Sequence, residues 1–147
     1  MSSKILILNG PNLNMLGLRQ PEIYGSETLE DVDKNCKERA EKLGLSIDFR
    51  QSNSEGELVT WIQESRTNHD GIVINAGAYT HTSVAIMDAL LVSDLPIVEV
   101  HISNVHQRED FRHHSYISNV AYGIVVGFGT LGYEMALESL AQKLQST

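Results

Sequence analysis

Five short apolar runs, rich in Ile and Val and separated by amphipathic stretches, limit most strongly what this chain can fold into. They occupy residues 5–8, 45–50, 71–75, 97–100 and 123–126. Runs without polar alternation predict strands buried on both faces, as in a parallel sheet. The stretches between them read as helices. Residues 28–43 open on a capping box, Thr28 with Asp31, carry an apolar face of Leu29, Val32, Cys36, Ala40 and Leu43, and close at Gly44. Cys36 on that face reads as a small core residue rather than a reactive thiol. Ser54 and Glu57 form a second box, opening a helix to about Arg66 that buries Leu58, Trp61 and Ile62. A third helix starts at Thr82 or Ser83 and stops before Pro96, and a fourth covers 131–144.

The order β-α-β-α-β-α-β-loop-β-α predicts one open α/β/α sandwich with a parallel sheet. For five strands the flavodoxin-like order 2-1-3-4-5 is the natural arrangement, with a ligand site outside the carboxyl ends of strands one and three. The 147 residues suit a single catalytic domain, 1–147. A formal charge of −8 argues against nucleic acid or an anionic membrane as partner, and no apolar run is long enough to span a bilayer. The chain runs from Met1 into its first strand without a signal-peptide pattern, and the single Cys36 excludes an internal disulfide. The expected compartment is the cytoplasm.

Polar residues gather after the strands. The connection after the first strand runs from Asn9 to Gly25, far longer than the ~2–6 residues such a unit needs, and carries Asn9, Asn12, Asn14, Arg19 and Tyr24. After the third strand comes Asn75-Ala-Gly-Ala-Tyr-Thr-His81. At and after the fourth come Glu99, His101, Ser103, Asn104, His106, Arg108 and Arg112. The second strand adds only Gln51, Ser52 and Asn53. Arginines, amides, imidazoles and a phenol suit a small anionic substrate rich in hydroxyls.

Glu99 and His101 stand at i and i+2 of one strand and so share a face. A Glu in an apolar run is costly to bury unpaired. Beside an imidazole it would fix the tautomer and favour the charged ring, making His101 a general acid. The alternative is an edge position where Glu99 points to water. Tyr24 reads either as a phenol whose ionised form is favoured by Arg19, Arg108 and Arg112, or as a plain turn aromatic before Gly25.

Other signals are weaker. Gly127-Phe-Gly-Thr-Leu-Gly132 matches a dinucleotide fingerprint, but only 15 residues follow it, too few for the next strand. It reads as a tight strand-to-helix turn whose backbone faces the site. The histidines match no metal-binding spacing, and His113 and His114 read as a polar loop or subunit contact. His69, before Asp70, is expected in solvent. Lys4, Lys34, Lys37, Lys42 and Lys143 all lie outside the candidate loops, which argues against a Schiff base. No GxSxG elbow supports a serine hydrolase.

Five motifs in order resemble one family. Asn9-Gly-Pro-Asn-Leu-Asn, Arg19-x-Pro-Glu-Ile-Tyr24-Gly, Asn75-Ala-Gly-Ala-Tyr-Thr-His81, Glu99-Val-His-Ile-Ser-Asn and Arg108-Glu-x-Phe-Arg112 are similar to type II 3-dehydroquinate dehydratase, from first strand to last helix. The resemblance implies a flavodoxin-like fold and cofactor- and metal-independent elimination of water from 3-dehydroquinate in the shikimate pathway. It assigns Tyr24 as base, Arg19 as the group keeping it ionised, Asn12 as holder of a water on the enolate, and His101 with Glu99 as acid. It gives the substrate carboxylate to Asn75, the Ile102 amide and Ser103, the ring hydroxyls to His81 and Arg112, and a supporting charge to Arg108. It further implies a homododecamer of four trimers in which Asp88 reaches a neighbour's site; read by itself, Asp88 is equally an ordinary solvent-facing helix residue. Leu18 and Gln20 depart from the family's usual Thr and Glu beside Arg19, on a loop expected to act as a lid. Two rivals remain at this point. One is a non-catalytic receiver or flavin module, although Asn9 and Asn75 stand where a receiver needs acids. The other is another small-anion lyase or sugar-acid isomerase.

Overall fold

A computed structural model describes residues 2–18, 22 and 26–146. Five parallel strands, β1 (Ser3–Asn9), β2 (Leu45–Gln51), β3 (Gly71–Asn75), β4 (Ile97–His101) and β5 (Gly123–Val126), form one sheet in the order β2-β1-β3-β4-β5. Four α-helices with described bounds separate or follow them: α1 (Leu29–Leu43), α2 (Glu55–Asn68), α3 (Val84–Ser93) and α4 (Leu131–Gln145). This is the flavodoxin-like order expected from the run spacing.

The helix starts behave as their sequences dictate. Asp31 N donates to Thr28 Oγ1 at 3.2 Å and Thr28 N to Asp31 Oδ2 at 3.0 Å, closing a full capping box. Gly44 ends α1 at φ 75°, a left-handed conformation natural to glycine. Ser54 and Ser83 cap α2 and α3 through the amides of Glu57 and Ile86.

Alternate residues of the central strands point to opposite faces. Ile5, Ile7, Val73, Val98 and Val100 pack with α1 and α4 around the fully buried Tyr133 and Leu137. Leu6, Leu8, Ile72, Ile74 and Ile97 pack with Leu58 and Ile62 of α2 and Ile86 and Leu90 of α3. Each such buried aliphatic side chain contributes about 1.5–3 kcal/mol. Cys36 is buried in the first layer, and its thiol is pushed up to about 12, chiefly by burial and also by the charges of Glu134 and Asp33.

Two expectations need correction. Burial on both faces holds for β1, β3 and β4 but not for β2 and β5, which are sheet edges and only partly covered. His69 is not solvated. It is buried with Nε2 3.0 Å from Asp48 Oδ2, and Arg50 Nη2 lies 2.8 Å from the same oxygen. The partly exposed β2 edge lets Asp48 pair with both groups. The Arg50 hydrogen bond holds its carboxyl below the usual range, with help from His69 and against partial burial.

Between β4 and β5 the chain makes three short 3-10 turns, Val105–Gln107, Asp110–Arg112 and Ile117–Asn119, in place of a helix. Ile117 is fully buried in the α2–α3 layer, so this segment covers the sheet there.

Candidate active site

The carboxyl ends of β1, β3 and β4 open into one cleft of about 100 Å³. Its walls are the turn at Pro11, Asn12 and Leu13, the turn from Asn75 to His81, and the segment from His101 to Arg112. The first two walls touch backbone to backbone. Gly10 N donates to Asn75 O at 2.8 Å, and a Cβ on Gly10 would lie 2.2 Å from Ala76 O. Only glycine allows the two turns to come this close. Asn12 sits at φ 71°, a left-handed conformation asparagine tolerates, with its amide donating to Asn53 Oδ1 at 3.0 Å.

Glu99 and His101 share the β4 face directed toward α2 and α3, beyond Ile97, and both are buried. His101 Nε2 lies 2.5 Å from Glu99 Oε2. Ser115 Oγ donates to the same oxygen at 2.7 Å and Ser118 Oγ donates to Oε1 at 2.6 Å. Burial pushes the Glu99 carboxyl up, but the hydrogen bond from His101, that from Ser118, the charge of His101 and the Ser115 hydroxyl together outweigh it. The carboxyl stays below the usual glutamate range. With Nε2 committed to this carboxylate, Nδ1 is the ring nitrogen left to meet a ligand in the cleft.

His81 is held differently. Its Nδ1 lies 2.8 Å from the His114 carbonyl oxygen, which only accepts, so Nδ1 carries a proton and Nε2 is free to accept. Burial, with the positive charges of His101 and Arg112, lowers its pKa against the opposing pull of the His114 carbonyl and Glu99. His81 is therefore a neutral imidazole near pH 7.

Arg108 and Arg112 line the cleft on the same segment as His101. Arg112 Nε is 3.2 Å from Glu109 Oε2, and Arg108 Nε is 3.6 Å from Glu109 Oε1. Both stay largely covered, so their charge faces the cleft through little water. No lysine of the described residues lines the cleft.

Of the residues singled out from sequence, Asn12, Asn75, His81, His101, Ile102, Ser103, Arg108 and Arg112 share the cleft, and Glu99 stands directly behind His101. Asp88 is exposed on α3 and does not line its own chain's cleft. Arg19, Gln20 and Tyr24 lie outside the described residues. The turn at Gly127 and Gly129 does not face the cleft as expected. It braces the wall from behind, with Gly127 N donating to His101 O at 3.1 Å and Gly129 N to Ile102 O at 3.0 Å.

The sequence model described as Dehydroquinase class II matches residues 3–141 of this chain. The chain belongs to that family. Two relatives within it are a 3-dehydroquinate dehydratase of Streptomyces coelicolor, 63% identical over 95% of this chain and 90% of its own length, and a catabolic 3-dehydroquinase 1 of Neosartorya fischeri, 57% identical over 96% and 94%. The crystal structure of a type II dehydroquinase from Propionibacterium acnes superposes with a TM-score of 0.93 at 45% identity, covering 97% of this chain and 98% of that one.

In this class II dehydroquinase chain sequence reading missed three supporting polar residues, Tyr133, Ser115 and Ser118. Tyr133 Oη, fully buried, donates to Asn9 Oδ1 at 2.6 Å and accepts from Asn75 Nδ2 at 3.0 Å. Burial pushes its phenol far above the usual range, so it remains a neutral donor. Asn9 is thereby a structural residue behind the cleft rather than part of its surface. Gln51 Nε2 donates to Gly10 O at 3.1 Å and to Asn53 Oδ1 at 3.1 Å, fixing the turn that carries Asn12. Ser115 and Ser118 had no motif to mark them; only the unpaired demand of a buried Glu99 pointed to such donors.

Proposed function

We propose that this chain dehydrates 3-dehydroquinate to 3-dehydroshikimate without cofactor or metal, as a single catalytic domain serving the shikimate pathway in the cytoplasm. The observation that carries the reading is the buried Glu99–His101 pair at a cleft that Asn75, Ile102, Ser103, Arg108 and Arg112 also line. An acid, an anion cradle and positive charge meet within one small space.

Asn75, the Ile102 amide and Ser103 bind the substrate carboxylate, and Arg112 and the neutral Nε2 of His81 bind ring hydroxyls. Tyr24, kept ionised by Arg19 with Arg108 adding charge, takes the proton on the carbon next to the ketone. The electron pair moves onto the ketone oxygen as an enolate, stabilised by a water that Asn12 holds. The enolate re-forms the ketone, the C–O bond breaks, and the departing hydroxyl takes the proton from His101 and leaves as water. One proton goes to Tyr24 and one leaves His101, so exchange with solvent resets both.

The chain acts in a homododecamer, four trimers, with Asp88 of one subunit completing a neighbour's site. Exposed Ile124, Phe128 and Leu131 at the β5 edge, and Leu91 and Val92 on α3, are the apolar surface that such contacts would cover.

Mixing the protein with 3-dehydroquinate should raise ultraviolet absorbance as the conjugated enone forms, and borohydride added with substrate should leave activity intact. No absorbance change would remove the assignment, and borohydride inactivation would replace the enolate route with an imine.

A further inference from the structure

A buried carboxylate has about four lone-pair sites to satisfy, and Glu99 meets this with an imidazole on one oxygen and serine hydroxyls on both. The two serines do not come from the strand that carries Glu99. They stand 16 and 19 residues later, on the turn that replaces a helix between β4 and β5. That turn is itself tied down: Tyr116 N donates to Thr80 O at 3.0 Å, and Ile117 is fully buried. The His114 carbonyl one residue before Ser115 accepts from His81. One short segment thus sets both imidazoles of the cleft.

We propose that Ser115 and Ser118 are positioning residues for His101, acting through the two oxygens of Glu99. Without their hydroxyls the carboxylate would keep only the imidazole as donor. In a low-dielectric pocket the proton shared by the pair would then shift toward Glu99, leaving a neutral acid and a neutral ring. With them, Glu99 stays the charged partner and Nε2 keeps the shared proton, so that Nδ1, the nitrogen left to the cleft, can give its own proton to the departing hydroxyl. The same recess is lined by His81, His106, Arg112, His113 and His114. These groups bring positive or neutral character, and none supplies a competing carboxylate. The proposal rests on the dehydratase reading for its purpose but not for its geometry.

The two serines differ in a way that makes the test clean. Ser115 Oγ also accepts from the amides of Ile117 and Ser118, at 3.1 and 3.2 Å, so removing it also loosens the turn. Ser118 Oγ serves Glu99. In Ser118→Ala, kcat should fall about tenfold near pH 7, the scale of one hydrogen bond to a charged group, with KM changed less than about twofold. The ratio of wild-type to variant kcat should grow as pH falls, because Glu99 now protonates at higher pH. Ser118→Thr should restore both. Infrared difference spectra against Glu99→Gln follow the Glu99 carboxyl directly, and its ionisation should move to higher pH in Ser118→Ala whether or not substrate turns over. An unmoved carboxyl signal, or a kcat loss equal at every pH and not restored by Thr, would overturn the proposal. A wild-type protein inert toward 3-dehydroquinate would instead remove the dehydratase reading and leave the infrared result to decide this one.

Discussion

At the scale of single residues, His101 and Tyr24 should carry the largest effects. General acid–base groups contribute about 10²–10⁴-fold, so His101→Ala and Tyr24→Phe should each lower kcat by that order in the enone assay, with binding of the substrate largely kept. Near-full turnover in either variant would give its role to another group. Glu99 also makes a prediction about stability. Its folded pKa lies below the ordinary glutamate value of 4.5, so the stabilisation it provides is full above about that pH. It is lost as pH falls through the lower folded value. Urea unfolding followed across acid pH should therefore show a smaller loss of stability for Glu99→Gln than for the wild type. Glu99 and His101 were legible as a pair from their spacing, since i and i+2 on a strand share a face. What spacing left open was whether that face met water or protein, and the serines of a distant turn decided it.

At the scale of elements, the capping boxes, the helix ends and the strand positions followed from local sequence, because each rests on hydrogen bonds spanning three or four residues. Thr28→Ala should cost about 1 kcal/mol in chemical denaturation. The Asn9–Tyr133–Asn75 chain of hydrogen bonds is of another kind. It joins β1, β3 and α4 over 124 residues of sequence between Asn9 and Tyr133. Tyr133→Phe leaves a buried acceptor and a buried donor unpaired, which should cost about 1–3 kcal/mol and raise KM as Asn75 loses its anchor. A stable variant with unchanged KM would mean that Asn75 is held by its bond to the Gly77 amide alone. The edge character of β2 was visible in hindsight in Ser46, Asp48 and Arg50, which alternate along it. The pairing of His69 with Asp48 was not, because it depends on where the turn that ends α2 falls against that edge.

At the scale of the whole molecule, partly covered β5 and the exposed apolar groups on α3 are the surface that the proposed assembly would bury. Sedimentation at micromolar concentration should find a particle of twelve chains. Mixing inactive His101→Ala subunits with inactive Asp88→Ala subunits should recover some activity, because sites pairing a wild-type cleft with a wild-type neighbour's Asp88 then form. Failure to recover any, in particles shown to exchange subunits, would confine the site to one chain.

The sequence by itself determined the layered α/β architecture, the strand order and the family. These follow from apolar periodicity, capping chemistry and contiguous motifs, all of which are local along the chain. The tertiary structure alone decided which polar residues face the cleft and which stand behind it. Asn9 and Asn75 look alike in sequence and both are tied to Tyr133, and yet Asn9 stands behind the cleft while Asn75 lines it. That distinction is set by hydrogen bonds and backbone contacts between segments far apart in the chain, and no local pattern encodes them.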